Sequence, residues 1–153
     1  MAEEFKTEKF EMKSNTVNAT DVRKKDGFYV TRVLKNTDAA TAANYGLFFI
    51  ARHPMEIMRV SIVYATASTS GTLQLERLQG TEAKAAGDTL LGSTFDMSAT
   101  ANTVQTKEGS DLTASRQLKE GDRLALIDGG TLTNQNDLVV TIYCKPLGQG
   151  DYR

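Results

Sequence analysis

One histidine, His53, and one cysteine, Cys144, bound the chemistry this chain can do. A Cys–His or Ser–His pair needs a nucleophile held beside its base, and a structural zinc site needs about four His or Cys ligands. His53 has no second His or neighbouring Cys to complete either set. It precedes Pro54, which forces an extended residue before it and removes a ladder donor, so the pair marks a strand boundary and His53 reads as a loop or interface residue. Cys144 lies in the apolar run Leu138–Cys144 and reads as a small hydrophobic residue. With one cysteine no intrachain disulfide can form, which suits synthesis in a cytoplasm. Five aspartates (Asp88, Asp96, Asp122, Asp128 and Asp137) could in principle ligate calcium. They are scattered and mostly fall at turn positions, where Asp bonds its own backbone. Gly129-Gly130 and the Gly148, Gly150 pair lack the strand–loop–helix setting of a phosphate-binding loop. No catalytic residue, metal ligand or cofactor is nominated, and the chain reads as a binding or structural module, not an enzyme.

The elements that would carry a site are strands. Met58–Leu78 holds two alternating runs around Ser70-Gly71, where a hairpin or short connection must turn. Met58, Val60, Ile62 and Tyr64 share one face of the first run, and Leu73 and Leu75 one face of the second. Before it, Gly27 opens a strand with Phe28, Val30 and Arg32 on one face. Asn36–Asn44 reads as a loop or an Ala-rich helical turn. Tyr45–Ala51 is a compact apolar run, expected to be buried on both faces at its centre. After it, Gln79–Leu91 reads as a surface excursion, Leu91–Met97 as a short strand and Thr103–Gly109 as an edge strand. Asp111–Lys119 is either a helical turn capped by Asp111 or an extended connection. Gly121-Asp122 turns into a strand over Arg123–Ile127, Thr131–Asn136 is polar connection, Leu138–Lys145 is the last strand, and the tail after Pro146 is expected to be exposed. About eight strands with turn signals every ~8–12 residues and no long amphipathic helix predict an all-β antiparallel sandwich. The turns alone do not separate a jelly roll from an immunoglobulin-like sandwich.

The chain divides at residue 26. Residues 27–153 carry the strand pattern and form one domain, whereas Met1–Asp26 mixes Glu and Lys with isolated Phe5, Phe10, Met12 and Val17 and ends in Arg23-Lys24-Lys25. Such a segment is either a disordered leader or an extended arm that wraps a partner, because its few apolar groups make no core of their own. The arm is the preferred reading, with Phe5, Phe10, Met12, Arg23, Lys24 and Lys25 as its contacting residues. The leading residues lack the apolar stretch of a secretory signal. No run approaches the ~20 apolar residues that span a bilayer. A formal net charge of -1 argues against binding nucleic acid by phosphate neutralisation. No nucleic acid and no membrane is therefore expected among its partners.

Three segments then combine into a pattern: VSIVYATASTSGTLQLERLQGTEAKAAGDTLL, ANTVQTKEG, and LKEGDRLALIDGGTLTNQNDLVVTIYCKPL. Their order and spacing resemble small virion proteins encoded beside the major capsid gene of tailed bacteriophages, over roughly residues 56–147. The matching positions are Thr66–Leu78, Ala101–Val104, Gly121–Leu124, Gly130–Thr133 and Leu138–Thr141. The resemblance implies a jelly-roll-like β-sandwich that decorates the head, as a cement protein or head-fibre base. It implies the major capsid protein as partner and the virion surface as location, after synthesis in the host bacterial cytoplasm. Closed symmetry is usual for such modules, and a homotrimer would suit local threefold positions on the lattice. The alternative is a carbohydrate- or receptor-binding β-sandwich of a phage tail or fibre. Against it, no strand shows a row of exposed aromatics: Tyr29, Tyr45, Tyr64 and Tyr143 all fall in core-like runs.

Overall fold

The computed structural model describes residues 27–34, 46–130, 132 and 134–148. The arm residues Phe5, Phe10, Met12, Arg23, Lys24 and Lys25, the Asn36–Asn44 segment and residues 149–153 lie outside the described residues.

The domain is all-β and sandwich-like. Ten strands form among the described residues: β1 (Phe28–Leu34), β2 (Leu47–Ile50), β3 (Met55–Val63), β4 (Thr72–Leu78), β5 (Asp88–Thr89), β6 (Phe95–Asp96), β7 (Gln105–Glu108), β8 (Gln117–Leu118), β9 (Arg123–Gly129) and β10 (Leu138–Pro146). One sheet runs β1-β10-β3-β7, with β8 also on β3. The other runs β2-β9-β4-β5, with β6 also on β4. Every pairing is antiparallel. β6 falls within the expected Leu91–Met97 strand, whereas the two-residue β5 and β8 are too short to leave an alternation in the sequence and take the count past the roughly eight expected. Asp111–Lys119 forms the end of one 3-10 turn (Gly109–Asp111), a second (Ala114–Arg116), and then β8; neither turn has a side-chain cap.

The inner faces share one core. Val60 and Ile62 of β3 and Val140, Ile142 and Cys144 of β10 meet Leu73 and Leu75 of β4 and Leu124 and Leu126 of β9. Each such side chain contributes about 1.5–3 kcal/mol by leaving water. The Thr131–Asn136 connection also feeds this core, because Leu132 is buried there. Tyr64 is buried beside it. Its hydroxyl lies 3.1 Å from the Asp96 carbonyl and 3.0 Å from that of Ala99, and accepts from Gln105 Nε2 at 3.1 Å.

Three expectations change. Met58 is exposed, because β3 carries one extra residue against β10: Ile57 pairs with Cys144, but Arg59 pairs with Tyr143. This bulge switches the parity of the strand, so Ile57 and Val60 both face inward. Of the two readings of Ser70-Gly71, the connection holds, since the stretch carries the chain from one sheet to the other. Tyr45–Ala51 is not buried on both faces: Leu47 is 54% and Ile50 53% exposed. Here β2 is an edge strand with its own extra residue against β9, which breaks the alternation between Leu47 and Phe49. Finally, the tail is not exposed at its start, since Gly148 is buried and the Leu147 N–H bonds Pro54 O at 2.9 Å.

The segment after β4 also does more than bulge into solvent. It folds back over the outer face of the second sheet and covers Glu76, Leu78 and Ala125. The Glu76 carboxylate accepts the N–H groups of Ala85 at 2.9 Å and Gly87 at 2.6 Å. Gly87 is needed there, because a Cβ would collide with the Arg77 carbonyl and the Leu78 side chain. Arg123 ties the same segment down, with Nη2 donating to the carbonyls of Gly80 at 2.9 Å and Glu82 at 3.0 Å.

Candidate interaction surface

The residues first considered for chemistry are spent on structure. His53 stacks against Phe28, ring centroids 6.0 Å apart, between the start of β1 and the end of β2. Burial pushes the Cys144 thiol up to about 12, so at neutral pH it holds its proton. Asp88 pairs with Arg77, and Asp128 pairs with Lys84 at 2.9 Å. Asp122 accepts the Lys119 N–H at 2.9 Å. Asp96 accepts from the Ser98 hydroxyl at 2.6 Å and its N–H at 2.8 Å, bonds that hold its carboxyl below the ordinary carboxylate range. Asp137 directly precedes β10 in the left-handed region, with φ of 50°. Among the described residues no three His, Cys, Asp or Glu side chains gather as metal ligands, and no helix is long and apolar enough to cross a membrane. A hollow of about 750 Å³ beside the 3-10 turns has Arg116 as its one charged lining residue, and Arg116 is paired with Glu56 at 2.8 Å.

The outer face of the first sheet is ordered in rows across the strands. Register places Tyr29, Tyr143, Arg59 and Glu108 in one row, Thr31, Thr141, Ser61 and Thr106 in the next, and Val33, Val139 and Val63 in a third. Arg59 and Glu108 form an ion pair, and Ser61 shares a hydrogen bond of 3.0 Å with Thr106. Tyr29 is 67% exposed and packs on Tyr143 with ring centroids 5.0 Å apart. Gly27 makes room for this pair, since any side chain there would run into the Tyr143 ring. The expectation that these tyrosines lie in core-like runs is corrected for Tyr29 and Tyr143. Both alternate with inward-facing neighbours, and a tyrosine on either face of a half-apolar strand leaves the same pattern.

The second feature is the open side of the sandwich, where β1 ends one sheet and β2 the other. Of the six large apolar side chains exposed among the described residues, four lie on these strands: Tyr29, Val33, Leu47 and Ile50. Between the strands is a cleft of about 520 Å³ lined by Arg32, Leu47, Phe48, Phe49, Ile50, Arg52 and Arg123. Arg32 holds an inward-facing position two residues after Val30, so its guanidinium stands in the mouth between the sheets. None of the three arginines forms an ion pair with a described carboxylate. Inward-pointing charge on an edge strand is one way proteins block edge-to-edge pairing. Arg123 Nη2 is taken up by the Gly80 and Glu82 carbonyls, but Arg32 and Arg52 beside exposed Leu47 and Ile50 also make a site for an anionic, partly apolar partner.

Sequence reasoning missed both features. The edge positions of β1 and β2 leave no mark on residue order, and Arg52 follows β2 while Arg123 opens β9, about seventy residues later. No protein-family model matches the chain, and no curated protein matches it.

Proposed function

We propose that this chain is a structural virion protein that decorates the capsid of a tailed bacteriophage by binding major capsid protein subunits, as a homo-oligomer with a trimer favoured. The observation that carries the reading is the β1/β2 side. It combines two strand edges unpaired among the described residues with most of the exposed large apolar side chains, which is what a docking module leaves uncovered when alone. We also infer a jelly roll. The successive strands β1 to β4 alternate between sheets, and the central position of β10 between β1 and β3 fits that winding. Many copies of a modest contact on one shell add through multivalency, so each contact can be weak.

A second reading, a carbohydrate- or receptor-binding module of a tail or fibre, draws support from the Tyr29–Tyr143 pair, since adjacent exposed rings can stack on a sugar face. Co-sedimentation of the full chain with purified phage heads separates the two. Saturation at a fixed ratio to the major capsid subunit supports decoration. Failure to bind heads, together with a signal on a glycan array that Tyr29→Ala abolishes, would replace it with the second reading.

A further inference from the structure

We propose that the cleft between β1 and β2 receives the segment Glu3–Met12 of a second copy of the chain. The cleft presents Arg32 and Arg52 around Leu47 and Ile50, with no described carboxylate to answer their charge, while Arg123 at its edge is held by the Gly80 and Glu82 carbonyls. Within the chain's own sequence, Glu3–Met12 has the complementary composition. It carries four glutamates (Glu3, Glu4, Glu8 and Glu11) against two lysines, with Phe5, Phe10 and Met12 among them. Ten residues reach at most about 35 Å when extended, enough to cross a four-residue strand and its flanks.

A second copy is favoured over the same chain by the layout of the exposed apolar groups. Leu47 and Ile50 line the cleft, but Tyr29 and Val33 lie on the other face of β1. One segment laid in the cleft covers only the first pair. A neighbouring copy brings its domain along with its segment and can cover both. A segment given to one neighbour and received from another is a heterologous contact, which closes into a ring when the rotation per copy allows it. The inference rests on reading Met1–Asp26 as a contacting arm. Its test uses the free protein, so it can fail while head binding stands, or stand while head binding fails.

Two measurements on the full chain decide it. In the first, Phe5→Cys protein is mixed with Ile50→Cys protein under mild oxidation, with buried Cys144 as the silent background. A disulfide between the two chains is the expected product under native conditions, and the same mixture oxidised in denaturant should not form it selectively. In the second, sedimentation velocity compares the full chain with the double variant Arg32→Glu, Arg52→Glu. Two charge reversals should weaken association about ten-fold, and adding Glu4→Arg and Glu8→Arg should recover most of that loss. A full chain that stays monomeric at tens of micromolar overturns the proposal. So does an oligomer unaffected by the reversals, or the absence of the mixed disulfide.

Discussion

Replacing Glu76 tests how much of the domain depends on one carboxylate in the middle of a strand. Glu76 is 3% exposed and holds the N–H groups of Ala85 and Gly87, so it fixes the fold-back that covers Leu78 and Ala125. Hydrogen bonds to a charged acceptor are worth about 1.5–3 kcal/mol each, so two of them set an upper bound of about 3–6 kcal/mol. The segment can respond by opening and returning both N–H groups to water, which lowers the loss. We expect Glu76→Ala to cost about 2–4 kcal/mol, and Glu76→Gln, which keeps one acceptor oxygen, about 1–2 kcal/mol. Equilibrium urea unfolding gives both values. Trypsin adds a local reading, because Lys84 lies within the segment and is held to Asp128. Cleavage after Lys84 under native conditions should be fast in Glu76→Ala and slow in the parent. A loss under about 0.5 kcal/mol with unchanged cleavage would mean that the segment is held by other contacts and that the carboxylate is incidental.

Two more outcomes follow from buried groups. Burial, with the nearby Asp96 charge adding to it, raises the Tyr64 phenol above its ordinary range. The folded state therefore keeps that proton longer than the unfolded chain, so the stability it contributes is complete below about pH 10 and fades as pH rises through the folded value. Tyr64→Phe should cost about 1–2 kcal/mol at pH 7 through the bonds to Gln105 and the Asp96 and Ala99 carbonyls, and should flatten the alkaline decline in a pH series of thermal melts. A variant whose decline matches the parent's would place the alkaline transition elsewhere. Cys144 should resist a thiol reagent at pH 8 until the domain unfolds, with a labelling rate that follows urea-induced opening. Rapid labelling of the native protein would contradict its burial.

The sequence made the sheets legible where alternation was clean and core residues sat on one parity. Val60, Ile62, Leu73, Leu75, Leu124 and Leu126 are such positions, and all are buried. It misled where a local irregularity reset the parity, as the β3 bulge does to Met58. It also misled where a distant segment covered a polar face. Gln74 and Glu76 look solvent-facing in the run Thr72–Leu78, yet Gln74 bonds both backbone groups of Leu91 and Glu76 is buried. The candidate surface was least legible. Its strands are identifiable, but whether a strand ends a sheet is decided by partners far along the chain. β1 is paired by residues more than a hundred positions later.

That long pairing has a consequence for synthesis. β10 is the last strand of the described chain and yet an inner one of its sheet, lying between β1 and β3. As the chain leaves the ribosome, β1 must wait unpaired until Leu138–Pro146 has emerged, and β3, which β7 and β8 can join earlier on one side, keeps its other edge open for as long. At 5–20 residues per second, the interval between the end of β3 and the end of β10 lasts roughly four to seventeen seconds. For that time two strand edges rich in apolar residues stand open beside identical nascent chains on the same messenger. Dense ribosome loading should therefore lower the yield of folded protein more than slow loading does, and the sheet order supplies the reason.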